Sequence, residues 1–185
     1  MRGRRIEIDV TFVHGHADVW RLFDDAAKLR EIAEALVEPF RGEVTKVAGI
    51  ESRGFVLATA AALALDVGFV PIRKANGLFP GPKAIVDTEP DYRGNRHTLR
   101  LQRAALAPGE RVLLVDDWIE TGSQASAAKR LVDSCGARLV GVATVVTEAA
   151  PSATAGLGRL HALARADELT AGGRGASQAR RAPER

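Results

Sequence analysis

Asp116 and Asp117 stand side by side at the end of an apolar run, and after three intervening residues come Thr121, Gly122, Ser123 and Gln124. Adjacent carboxylates accept hydrogen bonds from hydroxyl groups, bind a metal ion, or stabilise positive charge that develops during a reaction. A loop of small and hydroxylated residues at a helix start offers backbone N–H groups to an anion, and the helix dipole favours negative charge there. A ligand that satisfies both halves carries a phosphate beside hydroxyl groups, as a phosphorylated ribose does. The alternative is that Asp116 and Asp117 only cap the helix that follows.

The elements around these residues must hold them in place. Residues 112–115, VLLV, form an unbroken apolar run, which suits a central strand buried on both faces of a parallel sheet. This strand is expected to end on the two aspartates, with a helix from near Gln124 marked by Ala125, Ala128, Leu131 and Val132 and closed by Gly136. Residues 44–50 predict a second strand, running into Glu51-Ser52-Arg53-Gly54 and an alanine-rich helix over 55–65. Strand, tight polar turn and helix again make the geometry of an anion site, with an ordinary strand-to-helix turn as the alternative. A third strand, 69–72, ends on Arg73 and Lys74, cations that either face the ligand crevice at the strand end or are simply solvated.

Upstream, Val19, Leu22, Phe23, Ala26, Leu29, Ile32, Ala33 and Leu36 follow helical spacing, with Asp18 as N-cap and Pro39 beyond the end. His14 and His16 flank Gly15 in the preceding loop and have no third ligand nearby, so a solvated loop is read there rather than a metal site. Residues 75–96, with Gly77, Pro80, Gly81, Pro82, Pro90 and Gly94, read as one long irregular segment that could serve as a lid carrying Asp91, Tyr92 and Arg93. Residues 97–101 alternate like an exposed strand, 138–146 like a further one, and 149–158 read as a low-complexity linker before a short segment at 160–164.

The chain has 185 residues, 46% of them hydrophobic, which suits one α/β domain with a sizeable core. Its formal charge of +3 equals the excess of arginine over glutamate in 170–185, a Gly, Ala and Arg tail expected to be disordered. Residues 1–169 are therefore balanced, and no nucleic-acid-binding face is expected. The single cysteine, Cys135, has no metal spacing. Neither a secretory segment nor a membrane span is apparent, so a cytoplasmic protein is expected.

The motifs GIESRGF (49–55), VGFVPIRK (67–74), FPGP (79–82), LAPGERVLLVDD (106–117) and the Thr-Gly of the loop occur in the order and spacing of type I phosphoribosyltransferases. They most resemble adenine phosphoribosyltransferases, over about residues 12–148. The resemblance implies a single-domain open parallel sheet flanked by helices, with a small hood and flexible loop. It implies transfer of the 5-phosphoribosyl group from phosphoribosyl pyrophosphate to a purine, adenine first, in nucleotide salvage.

By the same resemblance, Asp116 and Asp117 hold the ribose hydroxyls, and Glu120, Thr121, Gly122, Ser123 and Gln124 form the 5′-phosphate cup. Ser52, Arg53, Arg73 and Lys74 lie on the pyrophosphate side. Asp91 is the proton-transfer group of the lid beside Tyr92, and Val19, Trp20 and Arg21 fall at the base-binding loop. Mg²⁺ accompanies the pyrophosphate without a dedicated set of side-chain ligands, and the protein is a homodimer. Trp20 stands where the family has Phe, Asp91 where it has Glu, and Glu120-Thr-Gly-Ser-Gln where it has Ala-Thr-Gly-Gly-Thr. An acid before Thr-Gly also resembles the 6-oxopurine enzymes, which leaves hypoxanthine or guanine as the alternative substrates. A non-catalytic sensor of the phosphoribosyl donor is the alternative of another class.

Overall fold

The computed structural model describes residues 8, 10–13, 16–75, 78–90 and 94–169. The tail over 170–185, His14, Gly15, Gly77 and Asp91 to Arg93 lie outside the described residues. A hairpin of β1 (Thr11–Val13) and β2 (His16–Asp18) leads into a 3-10 turn, Val19–Leu22, and helix α1 (Ala26–Val37). The main sheet is built from β3 (Lys46–Ile50), β4 (Gly68–Lys74), β5 (Lys83–Asp87), β6 (Thr98–Gln102), β7 (Arg111–Ile119), β8 (Arg138–Thr147) and β9 (Arg159–Arg165). Helix α2 (Arg53–Leu65) follows β3, α3 (Ser123–Ser134) follows β7, and the short α4 (Pro151–Thr154) precedes β9.

The strand order is β5-β6-β4-β3-β7-β8-β9. From β4 to β9 every neighbouring pair is parallel, while β6 and β5 add an antiparallel edge that forms the hood. Val112, Leu113, Leu114 and Val115 of β7 are at most 1% exposed, as an apolar run between two parallel neighbours requires. On one face Ile50, Ile72, Leu99 and Leu114 pack against Ala128 and Leu131 of α3. On the other, Val47, Leu113 and Val115 meet Leu36 of α1 and Leu57 and Ala61 of α2.

The chain winds outward from β3 to β4 and then returns to place β7 on the other side of β3. The carboxyl ends of β3 and β7 therefore flank the point where the strand order reverses, with α2 and α3 leaving on opposite faces. This crevice is where open α/β sheets bind ligands.

Several sequence expectations are corrected. The helical spacing from Val19 is real but interrupted, and the cap of α1 is Asp25, whose carboxylate accepts from Lys28 N at 2.7 Å; Asp18 makes no capping bond. The segment preceding that turn is a hairpin rather than a plain loop. Residues 75–96 are not wholly irregular, because β5 lies within them and pairs with β6 along its whole length. Strand β6 is an interior strand of the hood, with Leu99 and Leu101 buried. Strand β7 does not stop at the aspartates but continues through Ile119. The 149–158 linker holds α4, and the short segment at 160–164 is part of the edge strand β9.

Candidate active site

Two glycines let the site close. A Cβ on Gly49 of β3 would lie 2.4 Å from Gly54 O and 2.7 Å from Ala58 Cβ, so only glycine lets the first turn of α2 settle on β3. A Cβ on Gly54 would lie 2.8 Å from Asp116 Oδ1, so the same turn is also pressed against the Asp116 carboxylate of β7. The Glu51–Ser52 peptide between β3 and α2 is cis. Gly122 precedes α3 with φ +77°, in the left-handed region that favours glycine, and packs on α4.

Neither α2 nor α3 has a side-chain N-cap, so both helix starts keep backbone donors for a ligand. They open on one cavity of about 950 Å³. Its wall contains Ser52, Arg53 and Lys74, then Asp116 and Asp117, then Glu120, Thr121, Gly122, Ser123 and Gln124, and finally Val19 and Trp20. In the α3 loop, the Thr121 hydroxyl donates to Ser123 Oγ at 3.1 Å and accepts from Ser123 N at 3.3 Å. This bond pair shapes the turn into α3, where Gln124 already lies in the first helical turn.

The carboxylates differ. Asp117 is buried, and Arg53 Nε lies 3.0 Å from its Oδ2. That approach is not aligned as a hydrogen bond, which leaves Oδ2 buried without a hydrogen-bond partner. Asp116 is partly buried and accepts from Asp117 N at 3.0 Å. Its burial first, and the neighbouring Asp117 carboxylate second, hold the Asp116 carboxyl well above the usual carboxylate range. A buried and a partly buried acid, with one unsatisfied oxygen between them, suit hydroxyl donors or a cationic centre, and they do not cap α3, whose cap position is Gly122.

Arg73 and Arg21 do not join the cavity wall. Arg73 turns to Glu51, donating from Nε and a terminal nitrogen at 3.2 and 2.9 Å, and donates also to Leu78 O at 2.9 Å. The strand pleat explains the split, because successive side chains leave on opposite faces and Lys74 takes the cavity side. Arg21 is exposed and lies 3.5 Å from Asp18. Trp20 is 53% exposed and meets Phe23 edge-on, and the core role at this turn belongs to Val19 and Leu22. Asp91 and Tyr92 lie outside the described residues.

Sequence reasoning missed Glu51, Trp118 and Glu148, all on the cavity wall. The Trp118 indole N–H donates to Glu148 Oε1 at 2.8 Å, tying the end of β7 to the end of β8. A signal for Trp118 was present: an indole directly after paired acids needs a partner for its N–H. Nothing local in the sequence marks Glu148, which reaches Trp118 only through the β7–β8 pairing. Among the described residues no cluster of three His, Cys, Asp or Glu forms a metal cage.

Residues 21–155 match the phosphoribosyl transferase domain family. The chain is 42% identical over 129 residues to an adenine phosphoribosyltransferase of Arthrobacter sp., covering 70% of this chain and 68% of that one. It is 43% identical over 130 residues to one of Dinoroseobacter shibae, covering 70% and 71%. Among solved structures, adenine phosphoribosyltransferase of Rhodothermus marinus superposes with a TM-score of 0.70 at 36% identity, covering 81% of this chain and 86% of that one. The Giardia lamblia enzyme complexed with 9-deazaadenine gives 0.74 at 28% identity, covering 85% and 92%.

Proposed function

The chain belongs to the phosphoribosyl transferase family, and from that premise we propose that it transfers the 5-phosphoribosyl group from phosphoribosyl pyrophosphate to adenine, giving the nucleoside monophosphate and pyrophosphate. The observation that carries this reading is the convergence of two helix starts without side-chain caps on one cavity, on either side of Asp116 and Asp117. A donor with a phosphate at one end and a pyrophosphate at the other needs two anion sites with a ribose site between them.

In this reading the α3 start and Thr121 to Gln124 hold the 5′-phosphate. Ser52, Arg53, Lys74 and the α2 start face the leaving pyrophosphate. Asp116 and Asp117 accept the ribose hydroxyls and stabilise positive character on the sugar as the bond to pyrophosphate lengthens. Opposite charges thus meet fixed opposite charges, which is the main electrostatic route to catalysis. Val19 and Trp20 supply an apolar and aromatic wall for a flat base, and Arg21 stays with the base-binding loop. Asp91 is retained as the group that takes the base proton, beside Tyr92, and loss of turnover with retained donor binding in Asp91→Asn tests it.

The donor set fits a magnesium ion that arrives on the pyrophosphate, since the hard carboxylate oxygens of Asp116 and Asp117 lie on the cavity wall. Asp116 and Asp117 are the oxygens that would face it, and the ion would neutralise charge on the leaving group. The working form is read as a homodimer acting in the cytoplasm, and light scattering of the purified chain tests the dimer.

Release of pyrophosphate on mixing the protein with donor, Mg²⁺ and adenine tests the activity; donor binding without turnover on any base would overturn it in favour of a sensor. Glu120 supports a second reading, because this exposed acid lies on the cavity wall where it can meet a purine. A fall in turnover of hypoxanthine or guanine in Glu120→Ala, with adenine spared, would move the substrate to the 6-oxopurines.

A further inference from the structure

We propose that Glu51 is a positioning residue, whose carboxylate grips the end of β4 so that Lys74 is presented to the cavity and Arg73 is kept out of it. The inference deepens the reading above and rests on it. One carboxylate makes three bonds across the β3–β4 boundary: to Arg73 Nε at 3.2 Å, to an Arg73 terminal nitrogen at 2.9 Å and to Lys74 N at 3.1 Å. A fourth bond, Glu51 N to Ile72 O at 2.9 Å, fixes the backbone from which that carboxylate projects. Arg73 also donates to Leu78 O at 2.9 Å, so the same guanidinium ties the end of β4 to the chain at Leu78.

Geometry and charge agree on the role. The planar guanidinium fork matches both carboxylate oxygens, a fit that neither lysine nor glutamine reproduces. Arg73 is the register partner of Arg100 across β4 and β6, and like charges placed opposite each other repel. Glu51 offsets that repulsion at the strand end. Glu51 is itself on the cavity wall, where a bare carboxylate would oppose a pyrophosphate. Its bonds to Arg73 neutralise it, which leaves Arg53 and Lys74 as the wall's cations toward the leaving group. The bond to the Arg73 guanidinium, above all, draws the Glu51 carboxyl below its ordinary range, consistent with an acid that stays ionised as a clamp.

The test compares the parent, Glu51→Gln, Lys74→Ala and the double variant, by steady-state kinetics and by calorimetric titration with phosphoribosyl pyrophosphate and with Mg²⁺-pyrophosphate. Glu51→Gln is expected to raise KM and Kd for the donor about tenfold, as loss of one charged hydrogen bond implies, with KM for adenine within about twofold. Lys74→Ala should do the same, and adding Glu51→Gln to it should change donor affinity by less than about twofold, because both act at one point. Unchanged donor affinity in Glu51→Gln, or additive losses in the double variant, would overturn the proposal. So would a uniform loss of donor and adenine affinity accompanied by a fallen Tm, the mark of a merely structural acid. A parent that binds the donor but turns over no base defeats the reading of function alone, since the Kd comparison still decides Glu51. A parent that binds no donor defeats both.

Discussion

Asp116 and Asp117 carry the same charge at adjacent positions, and their surroundings separate their behaviour. Asp117→Asn removes one charge-assisted acceptor beside Arg53, and donor use is expected to weaken by about 1.5–3 kcal/mol, roughly ten- to a hundredfold, in kcat/KM. Asp116 also bears on the pH dependence of stability. Its folded-state pKa is raised, so the folded form binds the proton more tightly than the unfolded chain does. Its contribution is fully present below the ordinary carboxylate pKa and is lost as pH rises through the raised value. Asp116→Asn should therefore raise Tm at neutral pH relative to the parent and flatten the decline of Tm with pH across that window, while lowering turnover. A Tm for Asp116→Asn that follows the parent at every pH would contradict this.

The closing of α2 on the sheet makes separable demands on its glycines. Gly49→Ala and Gly54→Ala both push against backbone or carboxylate atoms, and overpacking of this kind costs about 1–3 kcal/mol. They should differ in activity, because the contact of Gly54 is Asp116 itself. Gly141→Ala is a control at a distance from the cavity: its Cβ would lie 2.5 Å from the Phe40 ring and 2.6 Å from Arg159 O. It should lower Tm without changing KM for donor or base. Kinetics on the three purified variants, read beside their melting curves, check the separation.

This scale is also where the sequence was most and least legible. Strand β7, α2, α3 and the paired acids could be read because apolar runs, alanine-rich helical spacing and small-residue loops are local signals. Strand β5 could not, since Lys83–Asp87 lies amid Gly and Pro and is a strand only because β6 pairs with it. The cap of α1 was misplaced by seven residues because helical spacing does not register the break at Phe23, whereas Asp25 bonding Lys28 N does. The opposite sides taken by Arg73 and Lys74 follow from the pleat, but the bonds that both make to Glu51, an acid of the ESRG motif, reach across from the neighbouring strand and leave no local signal. Trp118 and Glu148 met only through the β7–β8 pairing, a non-local event.

At the scale of the whole molecule the hood is tied to the sheet more firmly than a free lid would be. Arg130 of α3 donates to Asp87 O, Thr98 Oγ1 donates to Asp87 Oδ1 at 2.7 Å, and Thr88, almost fully buried, exchanges bonds with His97 at 2.8 and 2.9 Å. The paired strands should then exchange amide hydrogens slowly both in the free protein and with donor bound, which hydrogen exchange of the two states checks. Donor-dependent protection throughout β5 would mean that the entire hood reorganises on binding.

The position of β7 beside β3 bears on how the molecule comes into being. Lys46 pairs with Val112 and Gly49 with Val115, and Thr45 exchanges bonds with Arg111 at 2.8, 2.9 and 3.2 Å, joining stretches 66 residues apart in sequence. The unit β3-α2-β4 and the unit β7-α3-β8 are each assembled from near neighbours, and only their junction spans that distance. Closing so long a loop is entropically costly until the contacts on its far side form, so the two units are expected to gain structure before they dock. The cleft between the helix starts is contained in neither unit and exists only after docking. Thr45→Val, which weakens the junction without touching the cavity, should slow refolding more than it speeds unfolding if docking is the rate-limiting event, as a stopped-flow chevron would reveal. Ligand capture then waits on that docking, and a newly made molecule cannot hold a donor until the two units have met.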